Sequence, residues 1–129
     1  MSNANSWRLY VIIDVPTCGT RDPAKVAEQA IRGGADVIQL RNKSASTKTL
    51  IEQARRLLPI TQAARIPLII NDRVDVALSS GVDGVHLGQD ELSIKEARTR
   101  LGPGRLIGQS THELSQAIRA DLGGADYLA

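Results

Sequence analysis

The sequence predicts an α/β fold of the (β/α)₈ TIM-barrel type, present incompletely as five βα units and the start of a sixth strand. Short aliphatic runs alternate with helical segments along the 129 residues. A Gly-x-Asp motif precedes every second run, which indicates repeated βα pairs. A complete barrel typically needs about 250 residues. The alternative, an open doubly wound sheet, is disfavoured because no Gly-x-Gly-x-x-Gly follows the first run.

The predicted strands are short aliphatic runs that end in polar or turn residues. Continuous runs of this kind are typical of parallel strands buried on both faces. The predicted strands are residues 9–13, 37–40, 67–70, 84–87, 106–107 and 127–129.

Two of the helices between the strands have clear end signals. Asp22, followed by proline, predicts a helix start, and a Gly-Gly pair predicts its end near Arg32. Ser93 and Glu96 have the spacing of a capping box, and this helix should end before 102–104, a Gly-Pro-Gly turn.

A longer helix is predicted over 49–64. Pro59 lies inside it and predicts a kink or an early end, because proline cannot donate the backbone hydrogen bond that a helix interior requires. The residues expected to share its buried face are Leu50, Ala54, Leu57 and Thr61.

Composition excludes several classes of partner and predicts the compartment. The 16 Lys and Arg nearly balance the 14 Asp and Glu, and aromatic residues make up 2% of the chain, so neither phosphate neutralisation nor base stacking favours a nucleic-acid partner. No apolar run approaches the roughly 20 residues of a membrane span, so no membrane partner is expected. The single cysteine, Cys18, fits a cytoplasmic protein and is expected to have no catalytic role.

The first residues differ in character from the rest of the chain. Residues 1–7 are polar and are predicted to be a disordered leader or a cloning remnant. The domain itself is expected to occupy 8–129.

Polar and charged side chains cluster at the carboxyl ends of the predicted strands. In parallel α/β folds these ends lie at one edge of the sheet and form the functional site. Cations, carboxylates and amides at one rim suit a phosphorylated, metal-bound anion. The residues in question are Asp14, Gln39, Arg41, Lys43, Asn71, Asp72, Gln89, Asp90, Glu91, Ser110 and His112.

The second strand end carries a candidate diphosphate site. Gln39, Arg41 and Lys43 alternate at a period of two, so an extended chain projects them to one side. Arg41 and Lys43 together suit a diphosphate, since arginine binds two oxygens at once and lysine adds a point charge. The alternative is a solvated loop with two surface cations.

The third strand end carries a candidate magnesium ligand. Asp72 follows a buried strand, and Mg²⁺ takes one or two carboxylates together with water and phosphate oxygens. Asp90 or Glu91 supplies a second carboxylate nearby. The alternative is that Asp72 caps the following helix.

Two histidines receive structural interpretations. His86 lies within a strand and is expected to be a packed, hydrogen-bonded residue. His112 follows Ser110 by two positions, but Ser-x-His is too short to identify a nucleophile and its base.

Five motifs, in order and in register, carry a family resemblance. They are Gln39-Leu-Arg-Asn-Lys43, Ile70-Asn-Asp-Arg73, Asp83-Gly-Val-His-Leu-Gly-Gln89, Ile107-Gly-Gln-Ser-Thr-His112 and Gly124-Ala-Asp-Tyr127. From about residue 9 to the last residue, the chain resembles the thiamine-phosphate synthase family and the superfamily that it shares with thiazole tautomerase.

The resemblance implies a transferase of thiamine biosynthesis. It would join hydroxymethylpyrimidine diphosphate to thiazole phosphate and release pyrophosphate, with Mg²⁺ as cofactor. Arg41 and Lys43 would then be the catalytic cations. The implied substrate-binding residues are Gln39, Arg41, Lys43, Asn71 and Ser110, and the implied metal ligands are Asp72 and Glu91, the latter where the family usually has aspartate.

The length of the chain leaves two further alternatives beside a synthase. One is a thiazole tautomerase-like barrel. The other is a non-catalytic fragment that self-associates, because an open barrel exposes strand edges and aliphatic side chains. A homo-oligomer, and a chain inactive without a C-terminal part, are therefore both expected.

Overall fold

Six parallel strands form one sheet in the computed structural model, which describes residues 4–129. The strands are β1 (Tyr10–Asp14), β2 (Val37–Arg41), β3 (Leu68–Asn71), β4 (Gly84–Leu87), β5 (Leu106–Gln109) and β6 (Tyr127–Leu128). The helices are α1 (Val15–Cys18), α2 (Pro23–Arg32), α3 (Thr47–Ala64), α4 (Val74–Ser80), α5 (Ile94–Leu101) and α6 (Leu114–Leu122).

The order of the strands decides between the two parallel architectures. Each strand pairs with the next one along the chain, from β1 to β6, in parallel. A doubly wound sheet would reverse its order at a switch point. The unbroken order confirms the prediction of an incomplete TIM-barrel type.

The sheet curls until its two outer strands touch. The hydroxyl groups of Tyr10 on β1 and Tyr127 on β6 lie 2.5 Å apart, and their ring centroids are separated by 5.5 Å. Pairing between neighbouring strands alone would not bring β1 and β6 together. This curvature turns one face of the sheet into the wall of a cavity.

The core is aliphatic, and it includes the face of α3 that the sequence predicts. Leu50, Ala54, Leu57 and Thr61 are all buried. The predicted early end at Pro59 is wrong, because the helix continues to Ala64. Pro59 lies on the exposed side of α3, where water can satisfy the carbonyl that loses its partner.

The predicted helix starts at Asp22 and Ser93 are confirmed. The Asp22 carboxylate accepts a hydrogen bond from the Ala24 amide, and the Ser93 hydroxyl accepts one from the Glu96 amide. Each cap satisfies a backbone donor that a helix start leaves without an intrahelical partner.

The Gly-x-Asp repeat has a structural role at the amino ends of β2, β4 and β6. Each aspartate lies just before an even-numbered strand and accepts a hydrogen bond from a backbone amide at the start of the preceding odd-numbered strand, or one residue before that strand in the case of Leu9. These pairs are Asp36 with Leu9, Asp83 with Leu68, and Asp126 with Ile107. The repeat therefore ties each odd-numbered strand to the next strand at the amino ends of the sheet. The candidate site lies at the opposite, carboxyl ends of the strands.

The structure describes only residues 4–7 of the expected leader. Residues 1–3 lie outside the described residues. Ala4–Ser6 forms a 3₁₀ turn, and the Trp7 ring makes edge contacts with Tyr10 and Tyr127. The indole therefore covers the junction between the outer strands.

Among residues 4–129, no helix has the length and apolar character needed to cross a membrane.

Apolar side chains are exposed at the two outer strands of the sheet and on the last helix, α6. The exposed large apolar side chains of these elements are Leu9, Ile12, Leu114, Ile118, Leu122 and Leu128.

These exposed side chains predict self-association, because burying them against a second copy removes apolar surface from water. Light scattering at increasing protein concentration should give a mass above the 13.9 kDa of one chain. A constant monomer mass would contradict this prediction. Leu114→Lys and Leu122→Lys together should shift the mass toward the monomer, whereas Lys48→Ala on α3 serves as the control.

Candidate active site

A cavity of about 540 Å³ opens at the carboxyl ends of the strands. All but one of the substrate-binding residues and metal ligands that the family resemblance implies line it, whereas the other predicted rim residues, Asp14, Gln89, Asp90 and His112, do not. The predicted residues among its lining are Gln39, Arg41, Lys43, Asn71, Asp72 and Ser110. The exception is Glu91, which lies beside a neighbouring cavity.

The two candidate diphosphate ligands are each paired with a carboxylate. Arg41 donates to Asp14 at 2.9 Å, and the Lys43 ammonium lies 3.8 Å from the Asp72 carboxylate. Both pairs are partly solvated, so they contribute little to stability, and an arriving anion can rearrange them. The cations are therefore available at the rim rather than locked in the core.

Asp72 has a backbone conformation that is unusual for a residue other than glycine. Its φ is 65°, in the left-handed region that aspartate tolerates better than most residues. Its amide donates to the His86 carbonyl, and the Asn71 side-chain amide donates to its carboxylate. Arg73, not Asp72, occupies the N-cap position of α4. The alternative role of Asp72 as a helix cap is therefore wrong.

A second, smaller cavity of about 260 Å³ lies beside the first. Lys43, Asn71 and Asp72 line both cavities, and Glu91, rather than Asp90, lines the smaller one. Two carboxylates are oxygen ligands of the kind that Mg²⁺ prefers. Within residues 4–129, no three His, Cys, Asp or Glu side chains gather as a metal site. This donor set thus fits Mg²⁺ completed by water and phosphate oxygens, and not a metal enclosed by protein ligands.

A hydrogen-bonded network crosses the inner part of the main cavity. Gln39 donates to the Tyr10 hydroxyl at 2.8 Å, and Tyr10 contacts Tyr127. The Tyr127 hydroxyl lies 3.0 Å from Nδ1 of His86, and Nε2 of His86 lies 2.7 Å from the Ser110 hydroxyl. The network joins residues from five strands or strand ends, and it holds the amide of Gln39 and the hydroxyl of Ser110 in fixed positions.

Burial sets the protonation states in this network. It lowers the pKa of the His86 imidazole, although the Asp72 carboxylate acts in the opposite direction. It also raises the pKa of the Tyr10 and Tyr127 hydroxyls. Burial thus favours the uncharged forms of the imidazole and of both phenols, so this part of the cavity presents neutral hydrogen-bonding groups and aromatic surface.

Sequence reasoning did not identify the two tyrosines as cavity residues. The alternation of β1 places Tyr10 on the same face as Asp14, and this signal predicts that Tyr10 lies near the site.

The expectation that His86 is hydrogen-bonded is confirmed, and Ser110 forms a hydrogen bond with His86. Gly108 allows the Tyr127 ring to lie close, because a Cβ at position 108 would overlap the ring.

The fold and the cavity define a class of protein: a TIM-barrel type protein whose cavity has cations at its mouth and neutral hydrogen-bonding groups and aromatic rings in its interior. Residues 9–129 match the family model described as thiamine monophosphate synthase. The chain belongs to this family.

Curated relatives are consistent with this assignment. The chain is 48% identical over 122 residues to thiamine-phosphate synthase of Shouchella clausii, covering 95% of this chain and 58% of the relative. It is 50% identical over 122 residues to thiamine-phosphate synthase of Chloroflexus aurantiacus, covering 95% of this chain and 56% of the relative. The chain therefore spans less than two thirds of these relatives.

A solved structure supports the same assignment. Thiamine phosphate pyrophosphorylase from Pyrococcus furiosus superposes with a TM-score of 0.88 at 36% identity, covering 97% of this chain and 60% of that chain. The structure titled QR15, an Aldolase, superposes with a TM-score of 0.72 at 17% identity, covering 94% and 66%. The second likeness shows the shared fold alone.

Proposed function

We propose that this chain provides the pyrimidine diphosphate half of a thiamine-phosphate synthase, a cytoplasmic transferase that joins this substrate to a thiazole phosphate. One observation carries the proposal. A single cavity holds an amide, a hydroxyl and aromatic rings in its interior and Arg41, Lys43 and Asp72 at its mouth. The interior matches an aminopyrimidine ring, and the mouth matches a diphosphate with Mg²⁺.

The interior groups would bind and orient the ring. Gln39 and Ser110 offer hydrogen-bonding atoms at positions fixed by their contacts with Tyr10 and His86. The rings of Tyr10 and Tyr127 offer apolar surface at the same depth. An oriented ring presents its methylene carbon to an incoming nucleophile, which lowers the entropic part of the barrier.

The cations at the mouth would stabilise the leaving group. Pyrophosphate gains negative charge as its bond to the methylene carbon breaks. Arg41 and Lys43 are placed before the reaction to stabilise this charge where it develops. Asp72 and Glu91 would hold Mg²⁺, which neutralises phosphate oxygens when it is bound.

The binding of the first substrate tests the proposal on this chain directly. Hydroxymethylpyrimidine diphosphate with Mg²⁺ should change the fluorescence of Trp7, the single tryptophan, because its ring contacts two cavity tyrosines. Lys43→Ala should weaken this binding about tenfold or more, as expected for a lost charge-assisted contact.

The control is Lys48→Ala, which removes the same charge from α3 and should leave binding unchanged. Equal binding by Lys43→Ala and the parent chain would contradict the proposed site. The ligand without its diphosphate should bind much more weakly. Equal affinity for both ligands would favour the alternative of a barrel with another substrate.

A further inference from the structure

Of the two cations that line the main cavity, Arg41 is the one that a carboxylate holds by a hydrogen bond. Asp14 on β1 and Arg41 on β2 are direct partners in the parallel register, so their side chains leave the sheet at the same height and on the same face. The Asp14 carboxylate accepts from one terminal nitrogen of Arg41, Nη1, at 2.9 Å. Lys43, by contrast, lies 3.8 Å from Asp72, beyond hydrogen-bond distance.

The Asp14 carboxylate is itself held in place. Its second oxygen accepts a hydrogen bond from the Thr17 hydroxyl at 2.5 Å. Asp14 precedes α1 at the N-cap position, yet its side chain makes no capping hydrogen bond. The hydroxyl of Thr17, more than the guanidinium of Arg41, keeps the pKa of Asp14 below its ordinary value. The carboxylate thus stays ionised and oriented toward Arg41.

This arrangement has a cost and a benefit for binding an anion. The negative charge of Asp14 repels a diphosphate at the same mouth. The hydrogen bond between Asp14 and Arg41, however, holds one nitrogen of a guanidinium that has five donors. An arginine side chain that is held in place before binding loses less conformational entropy when an anion binds. The pair is partly solvated, so stability alone does not account for it.

We propose that Asp14, oriented by Thr17, is a positioning residue that holds Arg41 so that its remaining donors face the cavity and bind diphosphate oxygens. The inference rests on the proposed function, because it assumes that Arg41 binds the diphosphate. It assigns a specific role to Asp14, which the sequence places at the rim without a substrate or metal contact of its own.

The two substitutions Asp14→Ala and Asp14→Asn separate positioning from charge. Both remove the negative charge, but asparagine keeps an oxygen that can accept from Arg41. The measurement is the dissociation constant for inorganic pyrophosphate with Mg²⁺, followed by Trp7 fluorescence. Asp14→Ala should weaken binding on the order of tenfold, and Asp14→Asn should bind at least as tightly as the parent. Tighter binding by both variants would overturn the proposal, since charge alone predicts that result.

A double substitution tests whether Asp14 acts through Arg41. In an Arg41→Ala background, Asp14→Ala should cause no further loss of pyrophosphate affinity. An equal loss in both backgrounds would overturn the proposal. Asp22→Ala is the control, because it breaks another carboxylate and arginine pair, with Arg56, whose residues do not line the cavity. It should leave pyrophosphate affinity unchanged.

A readout without ligand distinguishes failure of this inference from failure of the proposed function. NMR of the arginine side chains should show slow rotation of the Arg41 guanidinium in the parent chain and fast rotation in Asp14→Ala. If the parent binds no pyrophosphate, the proposed function fails, and the NMR comparison still decides whether Asp14 holds Arg41. Equal rotation in both proteins would overturn the positioning role.

Discussion

Asp72→Ala is expected to abolish the Mg²⁺ dependence of diphosphate binding and to reduce turnover about 100-fold to 1,000-fold in an enzyme with a complete barrel. Asp72 is the carboxylate that lines both the cation-bearing cavity and the smaller cavity with Glu91. Its loss leaves Mg²⁺ with a single candidate protein ligand. Pyrophosphate titration of this chain, with and without Mg²⁺, measures the first effect, and pyrophosphate release in a complete enzyme measures the second.

The control is Asp90→Ala, which removes a neighbouring carboxylate that lines neither cavity. It should keep the Mg²⁺ dependence of the parent. Glu91→Ala should show an effect smaller than that of Asp72→Ala, since Mg²⁺ accepts water in place of one carboxylate. Full Mg²⁺ dependence in Asp72→Ala would contradict the proposed metal position.

Gly84→Ala is expected to give the largest loss of stability among single alanine substitutions at the glycines of the sheet. A Cβ at position 84 would overlap the backbone carbonyl of Leu106 on the neighbouring strand. Backbone atoms cannot rotate away as a flexible side chain can, so β4 and β5 must separate. A loss of about 3 kcal/mol is expected, which corresponds to roughly a 10 °C fall in Tm for a domain of this size.

Thermal unfolding followed by circular dichroism measures this effect. The control is Gly104→Ala, the same substitution at a turn where an added Cβ meets no atom within 4 Å. Its Tm should stay near that of the parent. Equal Tm values for the two variants would contradict the packing of β4 against β5.

The strands and most helix ends could be predicted because their signals are local. An aliphatic run bounded by turn residues defines a buried strand, and a capping side chain lies within three residues of the amide it accepts from, as Ser93 does with Glu96. The rim residues could also be predicted from the sequence, because the carboxyl ends of parallel strands lie on one side of the sheet. Gln39, Arg41 and Lys43 do line one cavity, as the alternation predicts.

The effect of Pro59 depended on a feature that the local sequence does not show. The cost of proline in a helix is set by whether water reaches the freed carbonyl, and this depends on which face of α3 packs against the sheet. The structure places Pro59 on the exposed face, so the helix continues.

The sequence by itself determined the family motifs, the succession of βα units and the charged residues of the rim. Each of these features depends on neighbours along the chain. Only the tertiary structure decided how the interior of the cavity is built. Tyr10 and Tyr127 are 117 positions apart and meet because curvature accumulates over six strands. His86 and Ser110 meet because β4 and β5 are neighbours in the sheet, with His86 opposite Gly108, and that contact has no signal in the local spacing.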